Sequence, residues 1–269
     1  MKNTEKKSKQ TQKHSKIPAG LPEFLAAAGI FALVFIMIFC IRSCDIISDS
    51  DADDGIYEDT VSPAEDTPTS TFLDTIPTAE EILPFSLAAN ITIDQVYTAT
   101  GYFPEDGSDE AVENVLAVRL TNNSNRTLEY LTFSIDVNGE SYPFSVSTLP
   151  AGKSVYVFNS ERKTAPDTVS VLDGKEELEI YFSKEPSAMA DTLSYEIQNG
   201  TIVVTNISEK EIKSDIMVYY KSTADSGYFG GITYRFRIGG GLAAGQSFSA
   251  YAPHAYTHMT EIMFAQYEE

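Results

Sequence analysis

From Phe24 to Ile41 the chain reads FLAAAGIFALVFIMIFCI, eighteen residues without a charge. In lipid the backbone amides find no water, so such a stretch crosses only as a helix. At 1.5 Å per residue it reaches about 27 Å, close to the roughly 30 Å of a bilayer's hydrocarbon core. Six lysines precede it (Lys2, Lys6, Lys7, Lys9, Lys13 and Lys16), and only Arg42 follows before the acids begin. The excess of lysine keeps the N-terminus in the cytoplasm. The expected organisation is a basic cytoplasmic tail over 1–22, then a transmembrane signal anchor over 23–43. The lipid bilayer is the partner of Phe24–Ile41, and the rest of the chain lies outside the cell membrane.

Two other readings keep the membrane but change the anchor. A cleaved secretory signal has a shorter apolar core and a small-residue cleavage site. A bacterial lipoprotein would use Cys44, since Ile41-Arg42-Ser43-Cys44 matches a lipobox at three positions and departs from it at Arg42. Cys40 and Cys44 are the only cysteines. An exterior without cysteine holds together by its core alone, as is common in bacterial surface proteins.

The formal charge of −20 is unevenly placed. After residue 42, 12 bases face 37 acids, which leaves the exterior near −25. A phosphate backbone is repelled by such a surface, so nucleic acid is excluded as a partner. The acids are densest just outside the membrane. Residues 44–82 hold twelve of them and no base, with Pro63, Pro68 and Pro77 interspersed among Ser and Thr. One-sign charge with little apolar surface predicts a disordered acidic linker. Asp49, Asp51 and Asp53 alternate like the start of a calcium loop, but Asp54 and Thr60 stand where that loop needs Gly and Glu.

From Leu83 the pattern changes to short alternating runs divided by Asn, Gly, Pro and Ser. Val115–Leu120 is one such run, and Leu131, Phe133, Ile135 and Val137 share one side of another. Asn138-Gly139 then signals a hairpin turn. Period two dominates, which predicts strands.

The same order of elements occurs twice. Thr121-Asn122-Asn123-Ser124 returns as Thr205-Asn206-Ile207-Ser208, and Leu149-Pro150-Ala151-Gly152-Lys153-Ser154 returns as Leu242-Ala243-Ala244-Gly245-Gln246-Ser247. Leu178–Phe182 finds an echo in Glu261–Phe264. Repetition on this scale predicts two similar units, 83–186 and 187–269. The fold class expected is all-β: two tandem small β-sandwich domains after the anchor and linker. In the repeated turns Asn and Ser bond to nearby backbone, while Gly152 and Gly245 supply positive φ.

The second copy carries one richer stretch. Ser226-Gly227-Tyr228-Phe229-Gly230-Gly231 leads into Tyr234 and Phe236 alternating with Arg235 and Arg237. Aromatic and arginine side chains anchor contacts well. Tyr228, Phe229, Tyr234, Arg235, Phe236 and Arg237 therefore form a candidate binding face. The competing reading is a sandwich strand with its aromatics inward and its arginines in solvent.

The sequence of strand, Thr-Asn-x-Ser, alternating strand and Leu-x-x-Gly-x-Ser resembles the FxLYD-type small β-sandwich domains of bacterial extracytoplasmic proteins. It is similar also to immunoglobulin-like surface domains with the same turns. The resemblance covers about 180 residues in two copies. It implies a fold and a location rather than an activity.

Little here supports catalysis. His254 and His258 are the only histidines of the exterior, four apart in what reads as a loop, and no cysteine accompanies them. A nucleophile-and-base pair has no base elsewhere among histidines. No glycine-rich phosphate loop opens a helix. The expectation is a non-catalytic module without cofactor or metal, binding an envelope protein or a surface polymer. The alternative is an accessory that positions an envelope complex in cis.

Overall fold

Alternating apolar residues make strands throughout the second two-thirds of the chain, and the structure, a computed structural model, describes residues 71–268 apart from Asp109. The segments expected as basic tail and transmembrane helix, and most of the one expected as acidic linker, lie outside the described residues. Fourteen strands are described: β1 (Phe72–Thr75), β2 (Phe85–Ala88), β3 (Ile91–Tyr102), β4 (Ala111–Asn122), β5 (Leu128–Val137), β6 (Glu140–Leu149) and β7 (Ser154–Phe158), then β8 (Leu172–Tyr181), β9 (Leu193–Gln198), β10 (Thr201–Asn206), β11 (Ile216–Ala224), β12 (Gly227–Ile238), β13 (Ser247–Tyr251) and β14 (Thr260–Tyr267). No helix occurs among the described residues.

The linker ends earlier than its composition suggests. Residues 71–82 were expected within it, yet Phe72–Thr75 pairs antiparallel with β3. Ile76 is buried, and its N–H donates to the Val96 carbonyl at 3.1 Å. Ile76 in the core and Leu73 against a smaller apolar cluster hold the segment, while Phe72 stays exposed and the β3 edge takes its backbone.

The repeat seen in the sequence is a repeat of topology. In the first copy the strands run β3-β4-β7 in one sheet and β6-β5-β8 in another. In the second they run β9-β10-β13 and β12-β11-β14. Each pair of sheets encloses a core. The first is built from residues such as Ile93, Val118, Leu131, Phe133 and Val157. The second is built from Ile202, Val204, Ile216, Val218 and Ile238. The architecture is all-β with several sheets, consistent with β-sandwich packing.

The repeated turns do more than reverse the chain. Asn122 is fully buried, and its side-chain amide donates to the carbonyls of Arg126 and Leu149, both at 2.9 Å. Its Oδ1 accepts from the N–H of Ser124 at 3.1 Å and from its hydroxyl at 2.7 Å. Asn206 repeats the set, donating to Lys210 and Leu242 carbonyls at 2.8 and 2.9 Å and accepting from Ser208. Each Asn thus ties the Thr-Asn-x-Ser turn to the start of the Leu-x-x-Gly-x-Ser turn. Gly152 and Gly245 take φ of 70° and 74°. The Asn138-Gly139 hairpin also lies at positive φ, with φ of 52° and 89°.

One sheet crosses from the first repeat to the second. Tyr228 and Phe229 of β12 lie parallel to Val155 and Tyr156 of β7. The resulting sheet has eight strands, in the order β1-β3-β4-β7-β12-β11-β14 with β2 also on β3.

Candidate functional site

The glycine-aromatic stretch singled out in the sequence forms the joint between the repeats. Opposite Tyr220–Ser222 of β11, β12 carries three extra residues, a bulge between Phe229 and Tyr234. The glycines in it and just before it meet distant parts of the chain. A Cβ on Gly227 would lie 2.5 Å from the Ser154 carbonyl oxygen, and one on Gly230 would lie 2.8 Å from Cβ of Pro104. A Cβ on Gly231 would overlap the carbonyl oxygen of Ser145. Gly230 also has φ of 85°, a conformation that costs glycine little.

A charge is buried at this bulge. Lys221 is 0% exposed. Its Nζ donates to the carbonyls of Ser147 and Gly231, both at 3.0 Å, and of Ile232 at 2.6 Å. These three acceptors match the three N–H bonds of an ammonium. The counter-charge is Glu105, from the hairpin between β3 and β4. Its carboxylate accepts the Phe158 N–H at 2.9 Å and the Gly231 N–H at 2.9 and 2.8 Å. The Gly231 peptide therefore bridges the pair, with its N–H on Glu105 and its carbonyl on Lys221. Burial pushes the Glu105 carboxyl up to about 7 and pulls the Lys221 amine down to about 7, while each offsets part of that shift in the other.

Beside this pair the aromatic rings pack across the joint. Phe229 meets Phe158 edge-on at 5.2 Å, and Phe158 meets Phe103 at 6.2 Å. Tyr234 stacks on His254 at 4.3 Å and on Tyr220 at 5.3 Å. The Tyr102 hydroxyl lies 3.3 Å from that of Tyr234 and 3.4 Å from Nδ1 of His254.

The six sequence-predicted residues separate accordingly. Tyr228 is 2% exposed and belongs to the core of the first repeat. Phe229 packs into a small cluster on the outer face of the long sheet, with Phe103, Val115, Ala117 and Phe158. Tyr234 and Phe236 pack against the core of the second repeat. Arg235 and Arg237 are exposed, and Arg237 pairs with Asp215 and with Glu268, the latter at 2.9 Å. Aromatics inward and arginines outward is the arrangement adopted along Tyr234–Arg237.

His254 is half-buried and stacked, whereas His258 is exposed at φ of 66°. Among the described residues no three His, Cys, Asp or Glu side chains group to hold a metal ion.

Sequence reasoning did not find Lys221 and Glu105. Lys221 follows Tyr219-Tyr220 on a strand whose Ile216, Val218 and Tyr220 point to the core, so it reads as a solvated residue of the opposite face. Lys221 itself is dry because β6 and the Glu105 hairpin cover it. Nor did it find the exposed aromatics of β13. Tyr251 is 82% exposed and Phe248 37% exposed. Both become conspicuous only when the repeats are superposed by topology.

No family model, no curated protein and no solved structure matches the chain.

Proposed function

We propose that this chain is a non-catalytic binding module of the cell envelope. It is anchored in the membrane through Phe24–Ile41 and displays tandem immunoglobulin-like β-sandwich domains on the outer side. The resemblance to FxLYD-type domains and the segregation of lysines, apolar helix and acids support that placement. The observation that carries the binding reading is β13. It holds a tyrosine 82% exposed and a phenylalanine 37% exposed on one strand at a sheet edge. Exposed aromatics at an unpaired edge are contact chemistry rather than core chemistry. The ligand class is an envelope protein or a surface polymer.

The joint supports an accessory role beside it. A sheet continuous from β1 to β14 keeps the two repeats in one mutual orientation, which suits a module that positions a complex in cis.

The test uses the full chain in its own cells with a photo-crosslinking residue at position 251. A discrete adduct with an envelope component is expected, with far less adduct when the probe stands at Tyr130 in the first repeat. Equal labelling at both positions, or none at 251, overturns the binding reading. Protease added to intact cells is expected to remove residues 83–269, and protection of that region overturns the outward placement.

A further inference from the structure

The two repeats share a topology, so each edge in one has a counterpart in the other. β7 and β13 correspond: Ser154, Val155, Tyr156, Val157 and Phe158 match Ser247, Phe248, Ser249, Ala250 and Tyr251 after their shared Gly-x-Ser turns. The outer edge of β7 is occupied. β12 lies along it in parallel, with Tyr228 buried beside Val155 and Phe229 covering Phe158. The outer edge of β13 has no strand on it among the described residues. What is covered at β7 is bare at β13. Val155 and Phe158 are 0% exposed, and their counterparts are Phe248 and Tyr251.

Open edges are normally guarded by charge or proline. The edge strand β8 follows that rule with Lys175, Glu176, Glu177 and Glu179. β13 reads Ser-Phe-Ser-Ala-Tyr, without a charge or a proline. An unguarded edge with exposed aromatics invites an added strand.

We propose that β13 is a strand-acceptor edge. It receives an extended glycine-aromatic segment of a partner protein, aligned parallel as β12 aligns on β7. The seat at β7 shows the chemistry required of the guest. A residue without a side chain is needed opposite Ser154, where Gly227 approaches its carbonyl to within 2.5 Å of a would-be Cβ. An aromatic residue follows to enter the core, as Tyr228 does. A glycine-aromatic segment of a different protein meets both needs. A second copy of this chain does not, because its own Gly227–Gly231 is held at its own β7 by Lys221 and Glu105.

This inference rests on the binding reading, and its test fails separately from that of the reading. The full chain, isotope-labelled in micelles, is titrated with the peptide Thr-Ala-Asp-Ser-Gly-Tyr-Phe-Gly-Gly, which copies residues 223–231. Amide shifts and slowed hydrogen exchange are expected at Ser247–Tyr251. Affinity is expected to fall on the order of tenfold when the peptide tyrosine is replaced by alanine. Tyr251→Lys, at a side chain already in solvent, is expected to weaken binding comparably without unfolding the chain. Shifts at Val155–Phe158 instead, or none at β13, overturn the proposal. So does peptide-insensitive crosslinking between two copies at position 251, which makes the occupant the chain itself. An envelope adduct at 251 together with an inert peptide would keep the binding module and remove strand addition.

Discussion

Among the described residues, the first repeat hides both edges of its β3-β4-β7 layer, and the second hides neither edge of β9-β10-β13. β1 and β2 cover β3, and β12 covers β7. The same topology therefore exists in a closed form and an open form within one molecule. The difference lies in what borders each copy rather than in the repeated turns, which are alike in both. β4 shows the consequence. Val115, Leu116, Ala117, Val118 and Leu120 are all at or below 2% exposed, so the strand is dry on both faces. β10, its counterpart, keeps the half-wet alternation of a sheet with one core face.

The largest effect is expected where the two forms meet. Lys221→Met leaves the buried Glu105 without its counter-charge and three carbonyls without their donor, at a cost of about 3–5 kcal/mol. In the native chain the repeats should unfold together, because they share a sheet. In Lys221→Met, calorimetry should resolve two transitions, with the second repeat melting first. A single transition shifted as a whole would mean that the joint does not couple the halves.

A smaller contrast lies in the paired asparagines. Asn122→Ala and Asn206→Ala each remove a buried set of bonds and should destabilise by about 2–3 kcal/mol. Chemical denaturation should find the loss equal in the two variants, since the geometry is the same in both repeats. A loss confined to Asn122 would show that the open repeat relaxes around the defect and the closed one does not.

The third contrast is in pH. A Glu105 carboxyl raised from about 4.5 to about 7 binds more protons when folded, so its contribution is full at low pH and is lost as pH rises through that window. A Lys221 amine lowered from about 10.5 to about 7 binds fewer protons when folded, so its penalty is relieved as pH rises from about 7. The two signs combine to a stability minimum near pH 7. Urea midpoints measured across pH should show it, and the minimum should vanish in the double variant Glu105→Gln with Lys221→Met. A maximum at neutral pH would mean that mutual attraction outweighs burial.

Much of the fold was legible because strands and turns are local. Alternation placed β4, β5 and β6, Asn138-Gly139 placed their hairpin, and the matching motifs announced the repeat. The joint was not legible. Gly227, Gly230 and Gly231 are required by the carbonyls of Ser154 and Ser145 and by Pro104, residues that lie about 70 to 130 positions away in sequence. The candidate face was half legible for the same reason. The pattern Tyr-Arg-Phe-Arg fixed which side chains share a side of β12, but not which side would be dry.

The sequence by itself determined the period, the turns and the duplication, since each depends on a few neighbouring residues and their backbone preferences. Only the tertiary structure decided that β12 would complete the first repeat, that a lysine would be buried there, and that β13 would be left bare. Those outcomes depend on which surfaces meet after the strands have formed, and burial is a property of the meeting and not of the residue.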